Sequence, residues 1–356
     1  MKALITAGGH GTRLRPITHT MNKHLIPLAN KPMIFYALEK IAETGIKEVF
    51  ININPKEKDL PSAVGSGRNW GLKIKYLEQT GGPKGLAHIL KIAKPYLKND
   101  SFVFYLGDNI VLSPIKNFIE KFQKEKHDGF LTLSKVSDPQ RFGVPKIKNG
   151  KIVKIEEKPK NPLSDFAVTG IYIYSPNVFK ALNFIKPSPR GELEISDVHT
   201  WLIKNGYKIG YEEITGWWKD TGKPEDLIEG NSLILKHHKN WEIDGEMGRG
   251  VVIKGKVAIG IGTKIIGKTK IIGPAIIGNN CHLKDCFLGP NVSIGDNARI
   301  IGTRIENSII FKNAFIESNG KKIVDSLVGE GTIISPSFKK ISSHKLIVGE
   351  DSQINI

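Results

Sequence analysis

The run Ala7-Gly8-Gly9-His10-Gly11-Thr12-Arg13-Leu14-Arg15-Pro16 sets glycines beside two arginines near the start of the chain. Glycine lets backbone N–H groups approach phosphate oxygens with no Cβ in the way. Arg13 and Arg15 add permanent charge and forked donors that match phosphate geometry. A glycine turn after a strand also arises for structural reasons alone; the arginines tip the balance toward phosphate. The run is not a P-loop, because no Gly-Lys-Ser/Thr ending follows. Nor is it a dinucleotide fingerprint: Leu14 stands where that motif wants a third Gly or Ala. Gly9, Gly11, Thr12 and Arg13 are therefore candidates for a different kind of nucleotide loop.

Short apolar runs surround this loop. Ala3–Ala7, Glu48–Ile53, Leu72–Leu77 and Ser101–Leu106 read as buried strands, with helical spacing over Met33–Thr44 and Gly85–Tyr96 between them. Strands separated by helices predict βαβ units and a largely parallel sheet. Phe130–Val136, Ile152–Glu156 and Val168–Tyr174 follow with fewer helices, which predicts a mixed sheet. A helix is expected over Pro224–Leu235, then a polar stretch at His237-His238-Lys239-Asn240.

After Gly250 the texture changes. Aliphatic residues recur every sixth position at Ile253, Ile259, Ile265, Ile271, Ile277 and Leu283. After one five-residue step the spacing resumes at Leu288, Ile294 and Ile300, then at Ile310 and Ile316, and it fades after Lys321. A fixed short period is the mark of a solenoid, whose repeats bury their apolar faces only by stacking. The fold class expected is therefore α/β: a Rossmann-like mixed-sheet domain over residues 1–240, followed by a left-handed parallel β-helix of hexapeptide repeats over 241–356.

A chain of 356 residues has room for two domains. Two cysteines, Cys281 and Cys286, cannot build a disulfide framework and lack the further ligands a metal site needs. The net charge of +17 is spread over scattered lysines, with no zinc-finger or RNA-recognition pattern, so nucleic acid is not the expected partner. Anionic substrates fit that charge as well. No segment approaches the roughly 20 apolar residues of a membrane span, and the N-terminus breaks into glycines too early for a signal peptide. No membrane association and a cytoplasmic location are expected.

The segment Leu4–Leu38, with its glycine–arginine loop and Asn30-Lys31-Pro32-Met33-Ile34-Phe35-Tyr36, resembles the glucose-1-phosphate thymidylyltransferase family. The order of motifs continues through Pro83-Lys84-Gly85-Leu86-Ala87-His88, Leu106-Gly107-Asp108-Asn109, Glu156-Glu157-Lys158-Pro159, Gly191–Asp197 and Trp218-Lys219-Asp220-Thr221-Gly222. The hexapeptide tail resembles the longer form of these enzymes. The resemblance implies transfer of a nucleotidyl group from dTTP, or alternatively UTP, to a hexose 1-phosphate, most directly glucose 1-phosphate, with Mg²⁺ as cofactor. It implies that Arg13 and Lys23 compensate triphosphate charge and that Asp108 and Asp220 hold the metal. Gly143, Glu157, Lys158 and Val168 would form the sugar-phosphate site, with Lys158 catalytic beside Arg13 and Lys23. Gly8, Gln79 and Gly85 would meet the base and ribose. The chemistry agrees independently, since joining two anions demands metal and cationic side chains.

The chain departs from the family pattern at His10, Asn22 and His24, and the stretch from Gln79 to Gly85 is one residue longer than usual. These differences touch nucleotide choice rather than reaction type. Two other functions stay open at this level. The β-helix could carry a second, acetyltransferase activity, for which His282 or His344 would have to serve as base. The whole chain could be a non-catalytic regulatory subunit, although Arg13, Lys23, Asp108 and Asp220 are all retained. A homo-oligomer is expected, with the tail as an assembly surface or cap.

Overall fold

A computed structural model describes residues 1–82 and 84–336; Pro83 of the Pro83–His88 motif, His344 and the rest of 337–356 lie outside the described residues. The chain forms two compact units: Met1–His10, Asn22–His24 and Met33–Asp220 in one, and Gly11–Met21, Leu25–Pro32 and Thr221 onward in the other.

The first unit is built on a mixed nine-stranded sheet. Lys2–Thr6 (β1), Glu48–Ile53 (β2), Lys73–Glu78 (β3) and Phe102–Leu106 (β4) run parallel in the spatial order β4-β1-β2-β3. Ala3, Leu4 and Ile5 are fully buried, as a parallel strand covered on both faces requires. The helices Met33–Glu43 (α1) and Leu86–Leu97 (α2) form part of the connections between parallel strands. Met33, Ile34, Ala37, Leu38 and Ile41 give α1 one buried stripe at helical spacing.

A short strand, Asn109–Val111 (β5), leaves the end of β4. Gly129–Lys135 (β6), Gly143–Lys148 (β7), Lys151–Glu157 (β8) and Phe166–Tyr174 (β9) then add the antiparallel part that the scarcity of helices predicts. β9 is buried along almost its whole length and pairs with β4, β6 and, at Val168, β7. Ile195–Lys204 (α3) and Ile209–Glu213 (β10) follow, and Trp218–Asp220 (β11) pairs antiparallel with β5. Parallel strands all end on one edge, so the loops after β1, β3 and β4 open together, which is where α/β sheets bind ligands. Gly8, Gln79 and Asp108 sit on those three loops.

In the second unit, short strands from Glu246–Met247 to Ile333–Ile334 stack in three parallel sheets of six, five and five strands. Ile265, Leu283, Ile300 and Ile316 fall in register in one column and are fully buried. Three hexapeptides thus make one coil of the left-handed β-helix, and the five-residue step marks a shortened corner. Asn280, Asn291, Asn297, Asn307 and Asn313 occupy left-handed corner positions with φ of 44–62°. Asn tolerates that conformation better than other residues with a Cβ, which is why Asn recurs between the aliphatics. The repeat fades from the sequence after Lys321, yet coils continue through Lys322–Val324, Leu327–Val328 and Ile333–Ile334. Backbone pairing to the preceding coil carries the fold where side-chain period no longer advertises it.

Cys281 and Cys286 are free and buried in this core, and burial pushes the Cys286 thiol up to about 12. They are packing residues. The helix Pro224–His237 (α4) begins with Pro at its first turn and Glu225 and Asp226 beside it, as a helix N-terminus favours. Its Asn231 Oδ1 accepts from the Ala29 N–H and the Ser293 hydroxyl, each at 2.7 Å. Asn30 Nδ2 donates to the Ile294 carbonyl at 2.6 Å. The segment Leu25–Pro32, early in the chain, is thereby tied to the β-helix.

Candidate active site

Asp108 leaves β4 at the carboxyl edge of the sheet. Its carboxylate pairs with the Lys23 ammonium and accepts from Asn109 Nδ2 at 3.0 Å. Burial alone would push the Asp108 carboxyl up, but the charge and hydrogen bond of the Lys23 ammonium outweigh it and hold it well below the usual range. His24 is itself buried, and burial, with Lys23 next to it, pushes its imidazole down to about 3. This residue stays neutral and leaves Lys23 as the cation facing Asp108.

Asn109 organises the neighbourhood. Its Oδ1 accepts from the Gly170 N–H at 3.0 Å and from Trp218 Nε1 at 2.6 Å. It therefore joins β5, β9 and β11 around one buried amide. The ladder of β5 with β11 sets Asp220 opposite Asn109, which brings the second carboxylate to the neighbour of the first.

Asp108 and Asp220 line a cavity of about 240 Å³ together with Gly143, Glu157, Lys158 and Val168. Six residues from five separate places in the sequence thus share one cavity. Strand register explains the sugar-phosphate set: Gly143 stands opposite Glu157 on β8 and opposite Val168 on β9. Burial, and then Glu194, push the Glu157 carboxyl up against the opposing pull of Lys158 and Arg190. Lys158 follows directly, with its Nζ 3.8 Å from Glu157 Oε1 and its backbone in the left-handed region at φ 44°. A non-glycine residue held there is strained, a cost often found at working sites.

The same cavity contains a residue that the sequence reading missed. Arg190 lines it, with its Nη2 2.9 Å from Glu194 and 3.6 Å from Glu157. Its signal was its position directly before the Gly191–Asp197 motif, where a cation beside acidic residues reads as a solvated loop.

Gly8 and Gln79 come together on the loops after β1 and β3: a Cβ on Gly8 would lie 3.3 Å from Gln79 Oε1. Gly85 has a separate reason for its identity. At φ 89°, a Cβ there would stand 2.5 Å from the Leu193 carbonyl oxygen, so backbone packing alone excludes other residues.

Gly11, Thr12 and Arg13 belong to the second unit. Gly11 is left-handed, at φ 61°, and caps a 3₁₀ turn over Thr12–Leu14 in which Leu14 is buried. Thr18 Oγ1 donates to the Gly11 carbonyl at 2.7 Å and fixes the turn. Arg13 is exposed, and its Nη2 would be 2.9 Å from a Cβ placed on Gly222, so its guanidinium lies over that glycine. The glycine–arginine loop and the Trp218–Gly222 motif, far apart in sequence, meet here.

Among the described residues no three His, Cys, Asp or Glu side chains cluster as a metal site. Asp108 and Asp220 bring hard carboxylate oxygens to the cavity. Such a pair suits a cation that completes its shell with water and phosphate oxygens, and it does not suit a soft metal. His282, the candidate acyltransferase base, stands in register between Lys264 and Arg299 on the β-helix. No helix among the described residues is long and apolar enough to cross a membrane.

Comparison with known proteins agrees with this geometry. The family model for nucleotidyl transferases matches residues 2–237. The chain is 41% identical over 358 residues to a glucose-1-phosphate thymidylyltransferase of Streptomyces antibioticus, covering 100% of this chain and 99% of that protein. A protein of the same name from Streptomyces griseus is 37% identical over 357 residues, covering 100% and 99%. A Bacillus anthracis crystal structure, described as a candidate glucose-1-phosphate thymidylyltransferase in complex with sucrose, aligns with a TM-score of 0.63 at 41% identity. It covers 68% of this chain and 97% of its own.

Proposed function

The chain belongs to the nucleotidyl transferase family, and from that footing we propose that it joins dTTP to glucose 1-phosphate, releasing pyrophosphate and dTDP-glucose. It is a sugar-1-phosphate nucleotidylyltransferase. The observation that supports transfer to a sugar phosphate is the single cavity lined by Asp108, Asp220, Glu157 and Lys158, and the choice of dTTP and glucose follows the two Streptomyces relatives.

An oxygen of the sugar phosphate attacks the α-phosphorus. The new P–O bond forms as the bond to the β-phosphate oxygen breaks, and pyrophosphate leaves with that electron pair. Two anions must meet, so positioning and neutralisation are the enzyme's main tasks. In this proposal Lys158 and Arg190 neutralise the sugar phosphate, and Glu157 accepts hydrogen bonds from sugar hydroxyls. Arg13 and Lys23 compensate the triphosphate, with backbone N–H groups of Gly9, Gly11 and Thr12 on its oxygens. Gly8, Gln79 and Gly85 receive the base and ribose. Mg²⁺ held by Asp108 and Asp220 would, when bound, neutralise phosphate oxygens. The hard-oxygen donor pair supports that assignment.

We further assign residues 1–240 to catalysis and, of the expected 241–356, the described residues 241–336 to the β-helix, and expect a cytoplasmic homo-oligomer. The test is a pyrophosphate-release assay with dTTP, UTP, CTP and GTP, each against the 1-phosphates of glucose, galactose and N-acetylglucosamine. Fastest turnover with dTTP and glucose 1-phosphate is expected. A preference for UTP or for an amino sugar would replace the substrate assignment; no turnover with any pair would reject the catalytic one.

A further inference from the structure

The loops after β1 and β3 hold an arrangement that neither the motifs nor the reaction explains. Gln79 is 4% exposed, and its Nε2 lies 3.3 Å from His88 Nδ1 on α2. Its Oε1 points the other way, to within 3.3 Å of the place where a Cβ on Gly8 would be. Asn52 Oδ1 also approaches that place, at 2.9 Å. Asn52 is fully buried, and that oxygen has no hydrogen-bond partner.

We propose that His88 is a positioning residue that sets pyrimidine choice by fixing which end of the Gln79 amide faces Gly8. The inference rests on the reading of Gly8 and Gln79 as the base site. A neutral imidazole with its proton on Nε2 offers Nδ1 as an acceptor. The Gln79 NH₂ group then donates to it, and the amide cannot turn over without setting a carbonyl oxygen against a lone pair. Burial, together with Lys84 and Lys91, pushes the His88 imidazole below its ordinary value, so it is neutral at physiological pH.

The consequence is an acceptor beside Gly8, Gln79 Oε1, and the buried Asn52 Oδ1 nearby offers no donor to compete with it. Thymine and uracil carry a proton on N3 and can donate to it. Cytosine carries a lone pair on N3 and meets an oxygen instead. A site built around such a hydrogen bond rejects the analogue that cannot make it, because the buried polar groups are left unpaired. This acceptor does not separate thymine from uracil, whose N3 edges are alike.

The experiment measures kcat/KM for dTTP, UTP and dCTP with glucose 1-phosphate in the full-length protein and three variants. His88→Leu removes the acceptor, and His88→Asn puts an amide oxygen close to where Nδ1 stood. The ratio of dTTP to dCTP should fall about tenfold in His88→Leu, the value of one hydrogen bond, with the loss carried by KM for dTTP. It should recover in His88→Asn. An unchanged ratio in His88→Leu, or equal losses for all nucleotides in both His88 variants, overturns the proposal. Gln79→Ala separates the two layers. If it lowers the ratio while His88→Leu does not, only the positioning role fails; if it leaves the ratio unmoved, the base-site reading fails and this inference with it. An enzyme that turns over none of the three nucleotides removes both at once.

Discussion

Asp220 stands directly across a two-stranded antiparallel ladder from Asn109, the neighbour of Asp108, so backbone pairing rather than side-chain reach brings the two carboxylates to one cavity. If these carboxylates hold the metal, replacing either by its amide removes charge and leaves shape. Asp108→Asn and Asp220→Asn should each lower pyrophosphate release by about 10²–10³-fold, as loss of a transition-state charge contact does. Circular dichroism should show the fold intact in both, with the melting temperature lowered in Asp108→Asn alone, because that change leaves the Lys23 ammonium without its carboxylate. Full activity in either variant would reject its metal role.

Asn109 predicts a different signature. Its amide satisfies Trp218 Nε1, the Gly170 N–H and Asp108 at once. Asn109→Ala leaves a buried indole N–H and a backbone N–H unpaired, at about 1–3 kcal/mol each. Stability to urea and activity should therefore fall together, unlike in the Asp220 variant. An Asn109→Ala protein with wild-type urea midpoint would show that water replaces the amide without loss.

Much of this was legible beforehand. The β-helix announced itself because a six-residue period is a one-dimensional signal, and Ile265, Leu283 and Ile300 stack as that spacing requires. Asp108 and Asp220 were legible as motif positions only, since a carboxylate at a strand end also reads as a turn or a cap. Arg190 and Asn109 were not legible: their partners come from other strands, and nothing local distinguishes a hub amide from a polar turn. The same holds for the grouping of Gly11–Met21 and Leu25–Pro32 with the β-helix unit. Long-range contacts such as Asn30 to Ile294 decide it, and no periodicity encodes them.

Two buried histidines predict how stability depends on pH. Burial, with Lys23 next for His24, pushes both His24 and His199 down to about 3. Unfolded, each titrates near the ordinary value of about 6.5. Below that value the unfolded chain binds protons that the folded chain refuses, so stability is complete above pH 6.5 and declines as pH falls toward 3. The slope reaches about 1.4 kcal/mol per pH unit for each residue. Urea midpoints measured from pH 7.5 to 4.5 should fall on the acid side, and less steeply in His199→Gln. A flat profile over that range would mean that these imidazoles take up protons in the folded state.

The column of aliphatics predicts where the β-helix is vulnerable. Ile300 is fully buried in the stack, whereas Ile261 is 70% exposed at a corner. Ile300→Ala should cost about 2–5 kcal/mol through lost burial and a residual cavity, whereas Ile261→Ala should stay within about 0.5 kcal/mol. Comparable losses in both would indicate that the Ile261 side chain is covered in the protein's assembled state.

Lys158 offers a test of whether strain is kept for function. Its φ of 44° suits glycine, and an L-residue in that conformation costs about 1–2 kcal/mol. Lys158→Gly relieves the strain and loses a comparable amount through chain entropy in the unfolded state, so its melting temperature should match or exceed that of wild type. Lys158→Val keeps the Cβ and adds branching, so it should be the less stable of the two. Both lose the ammonium beside Glu157 and should raise KM for the sugar phosphate at least tenfold, the effect of one lost charge-assisted contact of about 1.5–3 kcal/mol. If Lys158→Gly were stable and its KM unmoved, the lysine would be neither strained for a purpose nor in contact with the phosphate.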